Sequence, residues 1–168
     1  MKRLISVCGS DETDEFLSIY ALQIAEDVGK LVAQKNCILV CGGRGGIMKS
    51  ACKGAKECNG ITVGILPESK EEANEFIDIP IATGLGTRRN FLVVNASDAV
   101  IAIGGRWGTL NEITFSLIIK KPLILIKGTG GIVDKIIKGH FMKNIKSSYC
   151  IVDSANNAVE KVFELLSD

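Results

Sequence analysis

Four of the five arginines stand in glycine-bearing stretches: Arg44 in CGGRGG, Arg88 and Arg89 in GLGTRRN, and Arg106 in GGRWGT. Arginine presents a planar fork of donors that matches phosphate or carboxylate bidentately, which the point charge of lysine does not. Glycines let a ligand approach the backbone, and a helix N-terminus adds bare N–H groups with roughly half a positive charge. Each stretch reads as a strand-to-helix loop, so together they describe an anion site. The alternative is that these arginines pair with carboxylates at the surface or at a subunit interface. The 15 lysines are distributed differently, on helix faces and strand ends, as a solvated surface.

A carboxylate joins the last of these loops. In VIAIGGRWGTLNEI (100–113), Thr109-Leu-Asn-Glu112 has the form of a capping box. In it the Thr109 hydroxyl accepts from the amide of Glu112 and the glutamate reaches back, for about 0.5–2 kcal/mol. The second reading gives Glu112 a chemical task. Ionised, its pKa held low by helix dipole and arginine, it would stabilise an oxocarbenium-like transition state or activate water. Dinucleotide binding and NTP hydrolysis fit less well, because CGSDETDE (8–15) lacks G-x-G-x-x-G and no Walker lysine occurs. A phosphate-bearing mononucleotide suits these residues better.

The elements that must carry such loops follow from periodicity. Apolar runs at 4–9, 37–43, 61–67, 77–84, 98–105, 122–128 and 147–153 read as strands. Helices are expected between them: one ending near Gln34, then 47–58, 87–96, 109–120, 130–138 and 154–167. Strands apolar on both faces and separated by helices predict an α/β fold, a three-layer, doubly wound, mostly parallel, Rossmann-like sheet. Ligands of such sheets bind beyond the carboxyl ends of the strands. The acidic segment EEANEF (71–76) reads as solvated or mobile, Asp11 and Glu12 as helix N-terminal charges or, alternatively, as contacts to ribose hydroxyls, and His140 as a surface or loop residue. Trp107 reads equally as a residue that stacks on a base or as a packing or interface residue.

The 168 residues fit one domain, 1–168, with 46% hydrophobic residues and a formal net charge of +1. That charge and the 5% aromatic content exclude a bulk attraction to nucleic acid, and no run is long enough to span a membrane. Asp11 and Glu12 interrupt the only signal-like start. The six cysteines contain no C-x-x-C pair and read as reduced core residues, which predicts a cytoplasmic protein without a resident metal or cofactor.

With these motifs in view, the chain resembles the lonely-guy family over residues 4 to 126. That family comprises cytokinin-activating phosphoribohydrolases and bacterial relatives that have carried a lysine decarboxylase label. The resemblance lies in CGS (8–10), GG-x-GG-I-M (42–48), VGILPE (63–68) and the P-G-G-x-G-T-x-x-E signature, which falls on Gly104 to Glu112. It implies catalytic roles for Arg89 and Glu112. Ligand or phosphate contacts are implied for Gly9, Ser10, Gly42, Gly43, Arg44, Gly45, Gly46, Arg88, Gly105, Arg106, Gly108 and Thr109. The implied reaction is N-glycosidic hydrolysis of a nucleoside 5′-monophosphate, by a homodimer or higher homo-oligomer. The pattern departs at Gly104, where the family has proline, at Arg106, where it has glycine, and at Thr87, where it has histidine. The fragment GTRRNFLVVNASDAVIAIGG (86–105) is closer to a sister branch that includes molybdenum cofactor carrier proteins. The alternative function is therefore a non-catalytic carrier or sensor of a phosphorylated heterocycle. Decarboxylation needs a Schiff-base lysine, and no loop lysine stands in a suitable context.

Overall fold

The computed structural model describes residues 1–142 and 149–167. Seven strands are ordered: β1 (Leu4–Gly9), β2 (Ile38–Cys41), β3 (Ile61–Leu66), β4 (Ile79–Ala82), β5 (Ala99–Ile103), β6 (Leu123–Ile126) and β7 (Tyr149–Val152). They form one sheet in the order β4-β3-β2-β1-β5-β6-β7, and every neighbouring pair is parallel. The expected strand at 147–153 is present over 149–152; its first two residues, like residue 168 of the expected domain, lie outside the described chain.

Among the described residues five helices cross over between strands, α1 (Ile19–Gln34), α2 (Ile47–Glu57), α3 (Asn90–Asn95), α4 (Trp107–Ile118) and α5 (Gly131–Lys138), and a sixth, α6 (Ala155–Leu165), follows β7. Strand alternation sorts the core into two layers. Ile5, Val7, Leu39, Ile101, Ile103 and Ile124 pack under α1, α2 and α6. Cys8, Val40, Val100, Ala102 and Leu125 point the other way, under Ile113 of α4 and Val133 of α5. Both faces of the central strands are therefore dry, which is why they read as continuous apolar runs. Among the described residues no helix is long and apolar enough to cross a membrane.

Two boundaries differ from expectation in ways that matter for the site. α1 begins at Ile19, because the Ser18 hydroxyl accepts from the Ala21 amide and caps it there. Asp11 and Glu12 therefore lie in the long loop after β1, not at a helix N-terminus as expected. The helix expected over 87–96 is two pieces, a 3₁₀ turn at Gly86–Arg89 and then α3.

The strand order reverses direction between β1 and β5, whose crossovers leave on opposite sides. Loops on either side of such a switch point diverge and leave a crevice at the carboxyl edge. Here that crevice lies between the loop after Gly9 and the loop after Ile103, and the β2–α2 loop adjoins it.

Candidate functional site

A cavity of about 190 Å³ fills this crevice. It brings together Gly9, Ser10, Arg44, Arg89, Arg106, Gly108, Thr109 and Glu112 of the expected residues. Its walls also include Cys8, Asp11, Asp14, Met48, Thr87 and Asn90. Ser10 ties the rim together. Its hydroxyl accepts from the Gly105 amide (2.9 Å) and its carbonyl from the Ile47 amide (2.9 Å).

The three arginines arrive by different routes. Arg44 rides the loop after β2, where Asn74 Nδ2 donates to the Gly43 and Arg44 carbonyls (3.0 and 2.9 Å). Its guanidinium is half exposed, with Nε 3.5 Å from Asp11 Oδ2. Arg106 is the exposed residue just before α4. Arg89, 9% exposed, is the fixed one. Its Nη1 donates to Asn90 Oδ1 (2.5 Å) and its Nη2 to the Gly42 carbonyl (3.4 Å), while Nε has no protein partner. An unpartnered donor on a buried cation beside a cavity is a vacancy that an anion can fill.

Glu112 is not the helix cap. α4 starts at Trp107, so Thr109 already lies in its first turn and no side chain caps the helix. Gly105 sits at φ +86°, and a Cβ there would stand 2.2 Å from Thr109 Oγ1, so the hydroxyl packs on bare backbone. Glu112 points inward toward the sheet, 6% exposed, with Oε1 3.7 Å from Arg89 Nη1. The expectation of a low pKa is also overturned. Burial pushes the Glu112 carboxyl up to about 7, against the downward pull of Arg89 and the Cys8 thiol. Burial and the adjacent glutamate together push the Cys8 thiol well up. The site thus holds a permanent cation beside a carboxyl poised to titrate near neutrality, as general acid–base chemistry requires.

Not every expected residue reaches the cavity. Arg88 is exposed outside it. Gly42 lies beneath Arg89, Gly43 against Leu66, Gly45 against Glu12, and Gly46 against the Ser10 carbonyl. These glycines, like Gly105, admit neighbouring side chains and backbone and do not line the cavity. Gly104 has φ +59°, a conformation closed to proline, which accounts for the departure from the signature at that position. The segment 71–76, read as solvated or mobile, exposes Glu71 and Glu75 and is held by a capping box at Ser69–Glu72 and by buried Asn74. The sequence assigns no site role to Asn74, Asn90, Cys8 or Asp14. Each is an ordinary polar residue whose role arises from long-range packing, and only Asn90, beside the RR pair, had a local signal. Among the described residues no group of three His, Cys, Asp or Glu side chains is placed to hold a metal ion.

Comparison with known proteins matches residues 2–159 to the SLOG cluster4 family. A molybdenum cofactor binding protein from Rippkaea orientalis superposes with a TM-score of 0.89 at 34% identity, covering 99% of this chain and 98% of its own. The molybdenum cofactor carrier protein of Chlamydomonas reinhardtii superposes with a TM-score of 0.84 at 33% identity over the full length of both. An Archaeoglobus fulgidus protein of unassigned activity is 42% identical over 130 residues, 74% of this chain and 83% of its own. A cytokinin riboside 5′-monophosphate phosphoribohydrolase from Mycobacterium tuberculosis is 33% identical over 55% of this chain and 51% of its own. The chain thus spans about half the length of that curated enzyme, against nearly all of the two cofactor-binding proteins.

Proposed function

Because the chain belongs to the SLOG cluster4 family, we propose that it binds a phosphorylated heterocycle, a nucleotide or pterin-like molecule, in the arginine-lined cavity. The observation that carries this reading is the meeting of Arg44, Arg89 and Arg106 with the first turn of α4 on one cavity. The first amides of a helix have no intrahelical partners, and guanidinium groups complete an anion's coordination. Full-length similarity to molybdenum cofactor carriers supports a role in holding and delivering such a ligand. Exposed Phe91 and Ile118 on the α3–α4 side offer an apolar surface for a homodimer. Six free cysteines fit a reducing, cytoplasmic setting.

A second reading, hydrolysis, is favoured by Glu112 alone. A nucleoside 5′-monophosphate would be cleaved at its N-glycosidic bond, with water adding hydroxide to C1′ and a proton to the departing base. Ionised Glu112 would accept the proton of the attacking water or stabilise the ribosyl cation, and Arg89 would position the phosphate. General base catalysis contributes about 10²–10⁴-fold.

One experiment separates the two. The protein is incubated with AMP, GMP, CMP and IMP, and free base and ribose 5-phosphate are assayed alongside binding by calorimetry. Binding without release is the outcome expected of a carrier. Release that disappears in Glu112→Gln, with binding retained, establishes the hydrolase. If no phosphorylated ligand binds and Arg89→Ala changes nothing, the binding reading falls.

A further inference from the structure

The arginine cavity, at about 190 Å³, is smaller than the roughly 300–1,000 Å³ of ligand pockets. It accommodates a phosphate and part of a sugar, and the rest of a nucleotide-sized ligand must extend beyond it. A second hollow of about 360 Å³ adjoins it, and the two share Asp14 and Arg106. The walls of the second hollow carry two side chains of a kind rare in this chain: Phe16 and Trp107, 78% and 76% exposed. Ile132 adds apolar surface, and the charged residues of the wall are Asp14, Glu15, Arg106 and Lys135. Aromatic faces left in water suit a planar ring.

Asp14 stands at the junction. It is 6% exposed, and its loop holds it rigidly: its amide donates to the Asp11 carbonyl, its carbonyl accepts from the Leu17 amide, and its Oδ1 accepts from the Phe16 amide (3.1 Å). Its Oδ2 is buried with no hydrogen-bond partner. A buried carboxylate oxygen without a donor is costly, and a native fold keeps one where function uses it.

We propose that the second hollow takes the ligand's heterocycle and that Asp14 selects its edge. This rests on the binding reading above and names the ligand class within it. An oxygen left without a donor calls for one, so the matching edge must donate. A 2-amino-4-oxopyrimidine ring, as in guanine or a pterin, presents a ring N–H beside an amino group, two adjacent donors. Hypoxanthine keeps the ring N–H and lacks the amino group. Adenine alternates its amino donor with an acceptor nitrogen, which would face the carboxylate with its lone pair. Asp14 is therefore a specificity-determining residue, and guanine- or pterin-type ligands are preferred over adenine-type ones.

The test is calorimetric titration of the whole protein with GMP, IMP, AMP and ribose 5-phosphate, repeated with Asp14→Asn and Trp107→Ala. Asparagine retains an acceptor for the Phe16 amide and presents an N–H where the carboxylate had its free oxygen. In the native protein GMP is expected to bind roughly tenfold or more tightly than AMP, with IMP between. Asp14→Asn should erase that order; removing a carboxylate from the wall of the anion cavity raises the affinity of all phosphorylated ligands alike, ribose 5-phosphate included, and leaves no preference among the bases. Trp107→Ala should weaken all three nucleotides several-fold without changing their order. Equal affinity for GMP and AMP in the native protein, or an intact order in Asp14→Asn, overturns the proposal even when ribose 5-phosphate binds. Failure of ribose 5-phosphate and every nucleotide to bind overturns the binding reading itself, and the base selection with it.

Discussion

At the scale of single residues, Glu112 makes the sharpest prediction because its proton is linked to stability. Its folded pKa of about 7 stands above the ordinary carboxyl value of 4.5. Between those two pH values the native state holds a proton that the unfolded chain has released. Native protein therefore binds more protons there, and stability falls as pH rises from about 4.5 to about 7. The loss is on the order of 3 kcal/mol. Urea denaturation at pH 5 and pH 8 should show this fall in the native protein and a flatter profile in Glu112→Gln. The same titration divides the two functions. An ionised Glu112 beside Arg89 competes with a bound phosphate, so affinity should weaken through pH 7 relative to Glu112→Gln. Hydrolysis needs the ionised form and should strengthen through the same range. Calorimetry and base-release assays across pH 6–8 measure both. Residue types were legible in the sequence, since an arginine–glutamate site in glycine loops is visible as text. The sign of the pKa shift was not, because it depends on burial against Cys8 and the sheet, which no local spacing records.

At the scale of elements, the site depends on where helices start and how closely they approach. Thr109-x-x-Glu112 has the letters of a capping box, yet α4 begins two residues earlier and turns Glu112 inward. Strands were legible nearly to the residue, because a central parallel strand is apolar on both faces wherever it lies. The loop from Ser10 to Ser18 was not. Several Ser, Thr and Asp residues compete as helix starts there, and only the tertiary fold selects Ser18. That choice frees Asp11 and Asp14 to line the cavity. On the opposite layer, α1 and α2 meet through glycine: a Cβ on Gly54 would stand 1.9 Å from the Glu26 carbonyl oxygen. Gly54→Ala gains about 1 kcal/mol of helix propensity. It also forces a backbone contact that cannot rotate away, and overpacking of this kind costs about 1–3 kcal/mol, occasionally more. The clash should win, lowering Tm by a few degrees at about 2–4 °C per kcal/mol. Ligand affinity should be unchanged, because this crossing lies far from the carboxyl edge. A scanning calorimeter reads the sign directly, and a higher Tm in Gly54→Ala would show that the helices move apart freely.

At the scale of the molecule, the switch point makes the two halves of the sheet partners in one site. β1 to β4 supply Ser10, Arg44 and Asp14, whereas β5 and its crossover supply Arg106, Thr109 and Glu112. Between them, on the crossover from β4 to β5, stands Arg89. A ligand seated there contacts loops separated by up to about a hundred residues, so its binding energy acts on contacts between the halves as well as within them. Binding to the native state alone stabilises by about 2.7 kcal/mol at a ligand concentration a hundred times Kd. For a chain of this length that corresponds to a rise in Tm of roughly 5–10 °C. The location of the gain is more telling than its size. Hydrogen exchange should slow together in the loops following β1, β2 and β5, whose amides open locally in the free protein. The loops at the amino edge of the sheet, such as Lys35–Asn36 and Asn59–Gly60, should exchange as before. Protection confined to the amino edge, or to one half of the sheet, would place the ligand somewhere other than the crevice between β1 and β5. Protection of all three loops, lost in Arg89→Ala while the amino edge stays unchanged, ties the anion to the Arg89 guanidinium, which the fold holds at the cavity with Nε unpartnered.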